Sequence, residues 1–404
     1  MMTVLRASTN RGMIMMDLNR AWAMMEENKL DALIASSPQN VFYTSGFLYL
    51  PTSDNSIFFL LRNIGPLFTI VPRGGEARLL APNSAKATAE RFCTIKDRRF
   101  YAVSPPAELR TASQSRKASY SVLQVLKETL TDMGVTGGRV GVEGLDLPFN
   151  VHSALREVFP RLEFVDAQDL FFELRAVKSP AEVARVRQAV QLAIGGLNKA
   201  FEAVREGTTE REILNAYKAE VVRRGGSWCN TKFCAGRANG ATISHQASDY
   251  AIRHGDPAIF DVGAVFQGYA SDLARVGYLG KREEEGVKLY EVLRSAQEKA
   301  IDAIRPGVAI ADVFIIAQNH VRQSGYPDYT RGNIGHGVGI DFEEEPFLTP
   351  DSTWKIRAGM ILAVELPFYS QKLGGFNVED VIHVSDKGAE VLSSSLSKEA
   401  RLFG

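Results

Sequence analysis

Four acidic residues at matched places in the second half of the chain could bind metal ions. Asp261 lies in the apolar segment IFDVGAVF, and Asp272 follows eleven residues later, after a predicted turn. Glu365 lies in ILAVELPF, and Glu379 follows a predicted turn at Gly374–Gly375. Carboxylates on the buried face of a strand repel one another unless a cation lies between them. An Asp beside a turn is more often a cap or a solvated side chain, so one pair alone does not establish a site.

Each pair of acids is predicted to lie on a β-hairpin, with one acid on each strand. Read with a period of two residues, Ile259, Asp261 and Gly263 share one face of a strand, and Phe260 and Val262 share the other. After the turn, the return strand brings the second acid toward the first.

An internal repeat surrounds the two hairpins. Gly207 and Gly225 are echoed by Gly307 and Gly325 at a constant offset of one hundred residues. In each copy, two helices separated by a Gly-containing turn lead through a Gly-rich segment with a histidine to the acid hairpin. This repeat predicts two α–β halves related by pseudo-symmetry, with the acid hairpins meeting at the centre.

His336 is the histidine that we expect to join the acids. It lies in GNIGHGVGID, whose glycines allow close backbone approach, just before the second hairpin. The resulting set is too negative for one divalent ion but suits two ions that share bridging oxygens, about 3.5 to 4 Å apart, with a bridging water. This predicted ligand set comprises Asp261, Asp272, His336, Glu365 and Glu379.

The composition is that of a globular protein with more than one domain. The 404 residues carry 47 basic and 47 acidic side chains, which gives no reason to expect a nucleic acid or an anionic membrane as a partner. The N-terminal segment is interrupted by charge too often for a signal peptide, and the apolar stretch Ser56–Val71 is broken by polar residues and proline. We therefore expect a cytoplasmic protein.

We predict an α/β domain over residues 1–164 and a repeat-bearing domain over residues 165–404. The joint is expected between Phe164 and Lys178, because Ser179, Pro180 and Glu182 then form a capping box with proline at the first helical position. Thr209 and Glu212 repeat this box at the next helix. In the first domain we predict helices at Asp17–Lys29 and Ser119–Met133 and strands at Leu30–Ser37, Ser56–Leu61, Pro66–Val71 and Ala77–Ala81.

The whole chain resembles the pita-bread metallopeptidases, in particular the Xaa-Pro dipeptidase, aminopeptidase P and creatinase group. The segment LDALIASSPQNVFYTSGF resembles that group's N-terminal domain, and ELRAVKSPAEVARVRQA resembles its joint into the catalytic domain. The ligand order Asp, Asp, His, Glu, Glu with these spacings is the specific part of the match. The resemblance implies an α+β architecture: a C-terminal pita-bread fold with a pseudo-two-fold repeat and a curved antiparallel sheet, plus an N-terminal α/β creatinase-type domain.

The resemblance also implies the role of each ligand. Asp261 would bind one metal ion, His336 and Glu365 the other, and Asp272 and Glu379 both, while Glu365 would also take a proton from the water. The expected cofactors are two divalent ions, with manganese first and cobalt, zinc or iron as alternatives, and the expected assembly is a homodimer.

The substrate side departs from the family pattern. Glu343 stands where proline-directed members have a second histidine that steadies the developing oxyanion, and an anion can do this only if it is protonated. Ala274 and Ser244 stand where threonine and proline are usual. His245 matches the family's upstream substrate-binding histidine, so the catalytic candidates are Glu365, His245 and Glu343.

Three functions remain open. The first is a dinuclear metallopeptidase for Xaa-Pro dipeptides or other short peptides. The alternative is a metal-dependent hydrolase or lyase of a small non-peptide metabolite, with creatinase-like cleavage of a C–N bond. A non-enzymatic binding protein with a relic site is the third, and the five retained ligands disfavour it.

Overall fold

The computed structural model describes residues 16–48, 66–102, 114–242 and 246–404. By its internal contacts, the chain divides into the units Met1–Arg175 and Ala176–Gly404. The division falls within the segment in which the sequence analysis places the joint.

The described part of the first unit is an α/β structure. Its helices are α1 (Leu18–Glu27), α2 (Pro38–Ser45), α3 (Lys86–Phe92), α4 (Gln114–Asp132), α5 (Phe149–Val158) and α6 (Gln168–Ala176), the last of which ends at the division. Its strands are β1 (Ala32–Ala35), β2 (Phe68–Pro72), β3 (Arg78–Pro82), β4 (Asp97–Tyr101), β5 (Gly138–Val142) and β6 (Leu162–Asp166). They form one mixed sheet in the order β4-β3-β2-β1-β5-β6.

Local signals explain where the first elements differ from the prediction. Strand β1 ends before Ser37, because the Ser37 side chain accepts a hydrogen bond from the Asn40 backbone and caps α2. Helix α4 begins before the predicted Ser119, because its first turns consist of polar residues that apolar periodicity does not mark. The strand predicted at Ser56–Leu61 lies outside the described residues.

The second unit contains the repeat. Its described helices are α7 (Pro180–Ala203), α8 (Glu210–Arg223), α9 (Arg237–Gly240), α10 (Glu284–Ala303) and α11 (Ile310–Gln323). Its described strands are β7 (Ser227–Ala235), β8 (Pro257–Phe266), β9 (Tyr269–Ala270), β10 (Leu273–Leu279), β11 (Gly335–Gly337), β12 (Ile361–Glu365), β13 (Phe368–Ser370), β14 (Gly374–Phe376), β15 (Glu379–Ser385), β16 (Gly388–Val391) and β17 (Arg401–Phe403). None of the helices in the described ranges combines the length and apolar character that a bilayer span requires.

The helical part of the repeat is confirmed. Both predicted capping boxes are present, at the starts of α7 and α8. The glycines at offset one hundred share one backbone conformation, with φ of 84° and 89° in the first copy and 93° and 105° in the second. Since residues other than glycine rarely adopt this backbone conformation, the four glycines mark equivalent turns. Helices α7 and α8 of the first copy thus correspond to α10 and α11 of the second.

A single sheet receives strands from both copies, in the order β11-β12-β15-β10-β8-β7. Neighbouring strands in this order are antiparallel, and both acid hairpins belong to the sheet. The copies meet where β10 lies beside β15, and there the described strands pair through Ala274 and Glu379 alone. Leu362 and Val364 of β12 pack into the core with α10 and α11, so Glu365 projects from the opposite face.

The prediction of a turn at Gly374–Gly375 is wrong. These glycines belong to β14, which pairs with β13, and the turn lies at residues 371–373. A Cβ atom on Gly375 would collide with the carbonyl of Gly240 in α9. The glycines therefore permit close approach of two backbone segments rather than a reversal of the chain.

Candidate metal centre

A lateral row of side chains crosses the sheet of the second unit. Directly paired residues of antiparallel strands project to the same face, so the row follows from the strand register. From β7 to β12 it runs through Lys232, Asp261, Ala274, Glu379 and Glu365. Three of the predicted ligands therefore face one side of one sheet, and the small side chain of Ala274 leaves space between them.

The remaining two predicted ligands lie on the same side. One ligand atom each of Asp272, His336 and Glu379 lies within 4.8 Å of the others, and all three residues are buried. Nε2 of His336 lies 3.9 Å from Oε1 of Glu379, while its Nδ1 lies 3.0 Å from the Gly337 carbonyl oxygen. Because a carbonyl only accepts hydrogen bonds, Nδ1 carries the proton and Nε2 directs its lone pair toward the acids.

Asp261 and Glu365 form the accessible edge of this cluster. Both are half-buried, whereas Asp272 and Glu379 are buried. Side-chain amides orient the two accessible carboxylates. Asn230 Nδ2 donates to Asp261 Oδ1 at 3.3 Å, and Asn377 Nδ2 donates to Glu365 Oε2 at 3.0 Å. Solvent reaches the cluster from this edge.

Burial raises the pKa of each of the four carboxyl groups. Burial, followed by the charge of Glu365, raises the pKa of Asp261 to about 7. The pKa values of Asp272 and Glu379 lie well above the ordinary range, first through burial and then through the neighbouring carboxylates. Burial also raises the pKa of Glu365 and lowers that of His336, which favours the neutral imidazole that metal ions bind.

The cluster fits divalent metal ions. Asp272 Oδ1 is buried and accepts no hydrogen bond from any described residue. A buried carboxylate oxygen without a donor is costly, and a cation would satisfy it while removing the repulsion among the acids. Carboxylate oxygens with one neutral imidazole nitrogen form a donor set that first-row divalent ions accept.

Glycine and a buried ion pair fix the segment that carries His336. Gly335 has a φ of 137°, and a Cβ atom there would collide with the carbonyl of Ala363, so no other residue fits. Gly337 exchanges two backbone hydrogen bonds with Glu344. The Glu344 carboxylate is itself buried, 2.7 Å from the Lys178 ammonium.

The two other catalytic candidates differ in what the structure describes. His245 and the neighbouring Ser244 lie outside the described residues. Glu343 is exposed beside the buried Glu344, so the acidic run is not uniformly solvated. After burial and the nearer carboxylates, the charge of Glu343 is a further cause of the raised pKa of Asp272, which places Glu343 within electrostatic reach of the cluster.

A buried network holds the strand that carries Glu379. Arg275 donates from Nη1 to the Glu379 carbonyl at 2.6 Å, and its Nη2 lies 2.6 Å from Asp380 Oδ1. Lys398 Nζ lies 3.2 Å from Asp380 Oδ2. Burial acts to raise the pKa of Asp380, but the charges of Arg275 and Lys398 outweigh it and lower that pKa. Asp380 therefore has its own cations, whereas Asp272 Oδ1 has no hydrogen-bond donor among the described residues.

Three further side chains at the accessible edge were not predicted from the sequence. Lys232 Nζ lies 3.4 Å from the Tyr369 hydroxyl and 4.4 Å from the centre of its ring. The Arg331 guanidinium carbon lies 5.7 Å from the same ring centre. In the sequence, Lys232 stands out only as a lysine before the apolar residues Phe233 to Ala235. The register with Asp261 is needed to show that it lies on the same face of the sheet as the acids.

Family models match both parts of the chain. The model of the creatinase/prolidase N-terminal domain matches residues 18–177, and that of metallopeptidase family M24 matches residues 184–386. A Xaa-Pro dipeptidase from Pyrococcus furiosus is 28% identical over 381 residues, which cover 94% of this chain and 97% of the relative.

Solved structures of dipeptidases have the same fold. A dipeptidase from Pyrococcus horikoshii has a TM-score of 0.79 and 25% identity, over 95% of this chain and 99% of that one. A prolidase from Pyrococcus furiosus has a TM-score of 0.73 and 26% identity, over 92% and 98% of the two chains. These matches confirm the predicted fold. The chain therefore belongs to metallopeptidase family M24, a family of hydrolases that implies divalent metal ions.

Proposed function

We propose that this protein is a dinuclear metal-dependent dipeptidase that cleaves Xaa-Pro dipeptides or similar short peptides. The convergence of four carboxylates and one neutral imidazole on one face of the sheet carries the proposal. Similarity to Xaa-Pro dipeptidases over nearly the whole chain supports the substrate class. Two divalent ions, with manganese preferred over cobalt, zinc or iron, would act as Lewis acids and supply a nucleophilic water at neutral pH.

The proposed role of each ligand, binding one ion or both, matches how deeply the residue is buried. Asp272 and Glu379 lie at the buried centre, which suits carboxylates shared by both ions. Asp261 and Glu365 lie on opposite sides of Glu379 in the row, which suits binding to one ion each, with His336 on the side of Glu365.

Glu365 is the proposed proton acceptor. Its carboxylate lies at the accessible edge and is held by Asn377, and burial raises its pKa above the usual value, which makes it a stronger base. His245 and Glu343 are proposed to contact the substrate, and a protonated Glu343 could donate a hydrogen bond to the developing oxyanion.

One observation favours the alternative, a hydrolase or lyase of a small non-peptide metabolite. Glu343 adds an exposed fifth acid within electrostatic reach of the cluster. An additional negative charge suits a substrate with a cationic group better than it suits an oxyanion.

Metal analysis combined with a substrate panel tests the proposal. The chelated protein would be reloaded separately with manganese, cobalt, zinc and iron and assayed on Xaa-Pro dipeptides, other dipeptides, longer peptides, small amides and betaines. We expect two ions per chain and release of proline from the Xaa-Pro dipeptides. Turnover of an amide or betaine without any peptide cleavage would select the alternative, and full activity with one ion would refute the dinuclear centre.

A homodimer is the proposed assembly. Leu145 and Phe149 of the first unit are 87% and 84% exposed. Contact with a second copy of the chain would remove such apolar side chains from water. A monomeric mass by light scattering would contradict the proposal.

A further inference from the structure

We propose that Lys232 and Arg331 form a subsite that binds the carboxylate group of the substrate. The inference rests on the proposed function, since it assumes that the scissile bond lies at the acid cluster. It goes further by predicting a substrate with a free carboxylate a short distance from that bond, such as an unblocked dipeptide.

Lys232 occupies the end of the row that forms the cluster. It pairs directly with Asp261 across β7 and β8, so its side chain lies on the face of the metal ligands. The residue is 6% exposed, and its ammonium contacts the ring and approaches the hydroxyl of Tyr369. A buried ammonium at this place is costly, and it has to be matched by negative charge.

Arg331 approaches Tyr369 from a separate segment. Its backbone N–H donates to Gln318 Oε1 at 3.0 Å, which anchors the residue five positions before His336. Its Nε is buried and donates no hydrogen bond to any described residue. The guanidinium therefore presents an unused donor beside the ring that Lys232 also contacts. Guanidinium and ammonium groups together are the usual partners of a carboxylate.

The charge balance changes when metal ions bind. Without metal, the carboxylates of Asp261, which pairs with Lys232 across the strands, and of Glu365 supply negative charge near the ammonium. Two divalent ions would neutralise the four carboxylates, and Lys232 and Arg331 would then form a positive region next to the accessible edge. An anionic group of the substrate restores the balance, and in a short peptide that group is the terminal carboxylate.

Paired ligands that differ only in the carboxylate test the subsite. Binding of proline and of prolinamide to the manganese-loaded protein would be measured by calorimetry, for the native protein and for Lys232→Met and Arg331→Gln. We expect proline to bind roughly 10- to 100-fold more tightly to the native protein, as one charge-assisted contact provides. We expect this ratio to fall toward one in both variants and to be partly kept in Arg331→Lys.

Lys372→Met is the matched control. Lys372 lies in the same unit, its side chain is 71% exposed, and it pairs with Glu285 of α10. The proline preference should be unchanged in this variant. If Lys232→Met does not fold, Arg331→Gln decides alone, because Arg331 is only half-buried.

Kinetics separate this inference from the proposed function. We expect kcat/KM for Xaa-Pro dipeptides to exceed that for their C-terminal amides, and the two variants to lower the acid-to-amide ratio; lost packing alone would affect acid and amide alike. Equal cleavage of acid and amide would overturn the subsite while the peptidase function stands. Failure to cleave any peptide, with a proline preference that both variants abolish, would support the subsite and refute the function. A proline preference that survives both substitutions, or is absent in the native protein, refutes the subsite.

Discussion

The metal-free protein should become less stable as the pH rises from about 5 to about 7.5. Burial and the charge of Glu365 raise the pKa of Asp261 from 3.8 to about 7. A carboxyl group with a higher pKa in the folded chain binds more protons when folded, so the free energy of unfolding falls as the pH rises between the two values. The interval is about three pH units, each worth about 1.4 kcal/mol, so Asp261 alone costs on the order of 4 kcal/mol at neutral pH.

Other groups of the second unit contribute with known signs. Asp272 and Glu379 also have raised pKa values, so they act in the same direction. His336 and His320 have lowered pKa values, so they make the free energy of unfolding rise with pH, opposite to the effect of the acids. The substitution Asp261→Asn isolates the contribution of Asp261, because both histidines remain in the variant.

Thermal unfolding followed by circular dichroism, with chelator and with manganese, provides the measurement. Between pH 5 and pH 7.5 the cost of Asp261 grows by about 2.5 kcal/mol, which for a domain the size of the second unit corresponds to a fall in Tm of roughly 5 to 10 °C. Bound ions keep the acids ionised and should remove most of this fall. A metal-free Tm that stays constant or rises over this range would refute the reasoning, as would an equally steep fall in Asp261→Asn.

Substitutions at three further residues test the site and its surroundings. Asp272→Asn should remove bound metal and activity together, because its orphaned oxygen lies at the buried centre; full metal content and turnover would show that the ligand assignment is wrong. If the protein is a peptidase, Glu343→His should raise kcat/KM on Xaa-Pro dipeptides by up to roughly 10²–10³-fold; unchanged kinetics on the true substrate for both Glu343→His and Glu343→Gln would show that Glu343 has no role. Arg275→Met should lower the free energy of unfolding in urea by about 3 to 5 kcal/mol, since it removes a buried partner of Asp380; a loss below about 1 kcal/mol would contradict this.

Local signals in the sequence were sufficient for much of the fold. Capping boxes and glycines in left-handed turns depend on a few neighbouring residues, so the helical repeat could be predicted. The roles of Gly374 and Gly375 could not, because they depend on contact with a helix more than one hundred residues earlier.

The residues that surround the acids were harder to predict than the acids themselves. Asp261 is conspicuous in an apolar strand, whereas Asn230 and Asn377 are short polar residues of a kind that also occurs in turns. Their role depends on which carboxylate each amide reaches, and Lys232 becomes informative only through its register with Asp261. Strand register and loop position are tertiary properties that a period-two pattern does not specify.

The narrow junction between β10 and β15 has a consequence for local opening. Between β10 and β15 the described strands share one residue pair, so few backbone hydrogen bonds cross the sheet along this line, although β17 also pairs with β10 through three residue pairs. Arg275 adds a side-chain bridge there, and metal ions bound by ligands from both copies would add another. Without metal, the sheet should separate first along this line while each copy keeps its own helices and hairpin, and amide hydrogens on both sides should exchange with solvent faster. The proposed metal centre would thus also stabilise the contact between the two halves of its own domain.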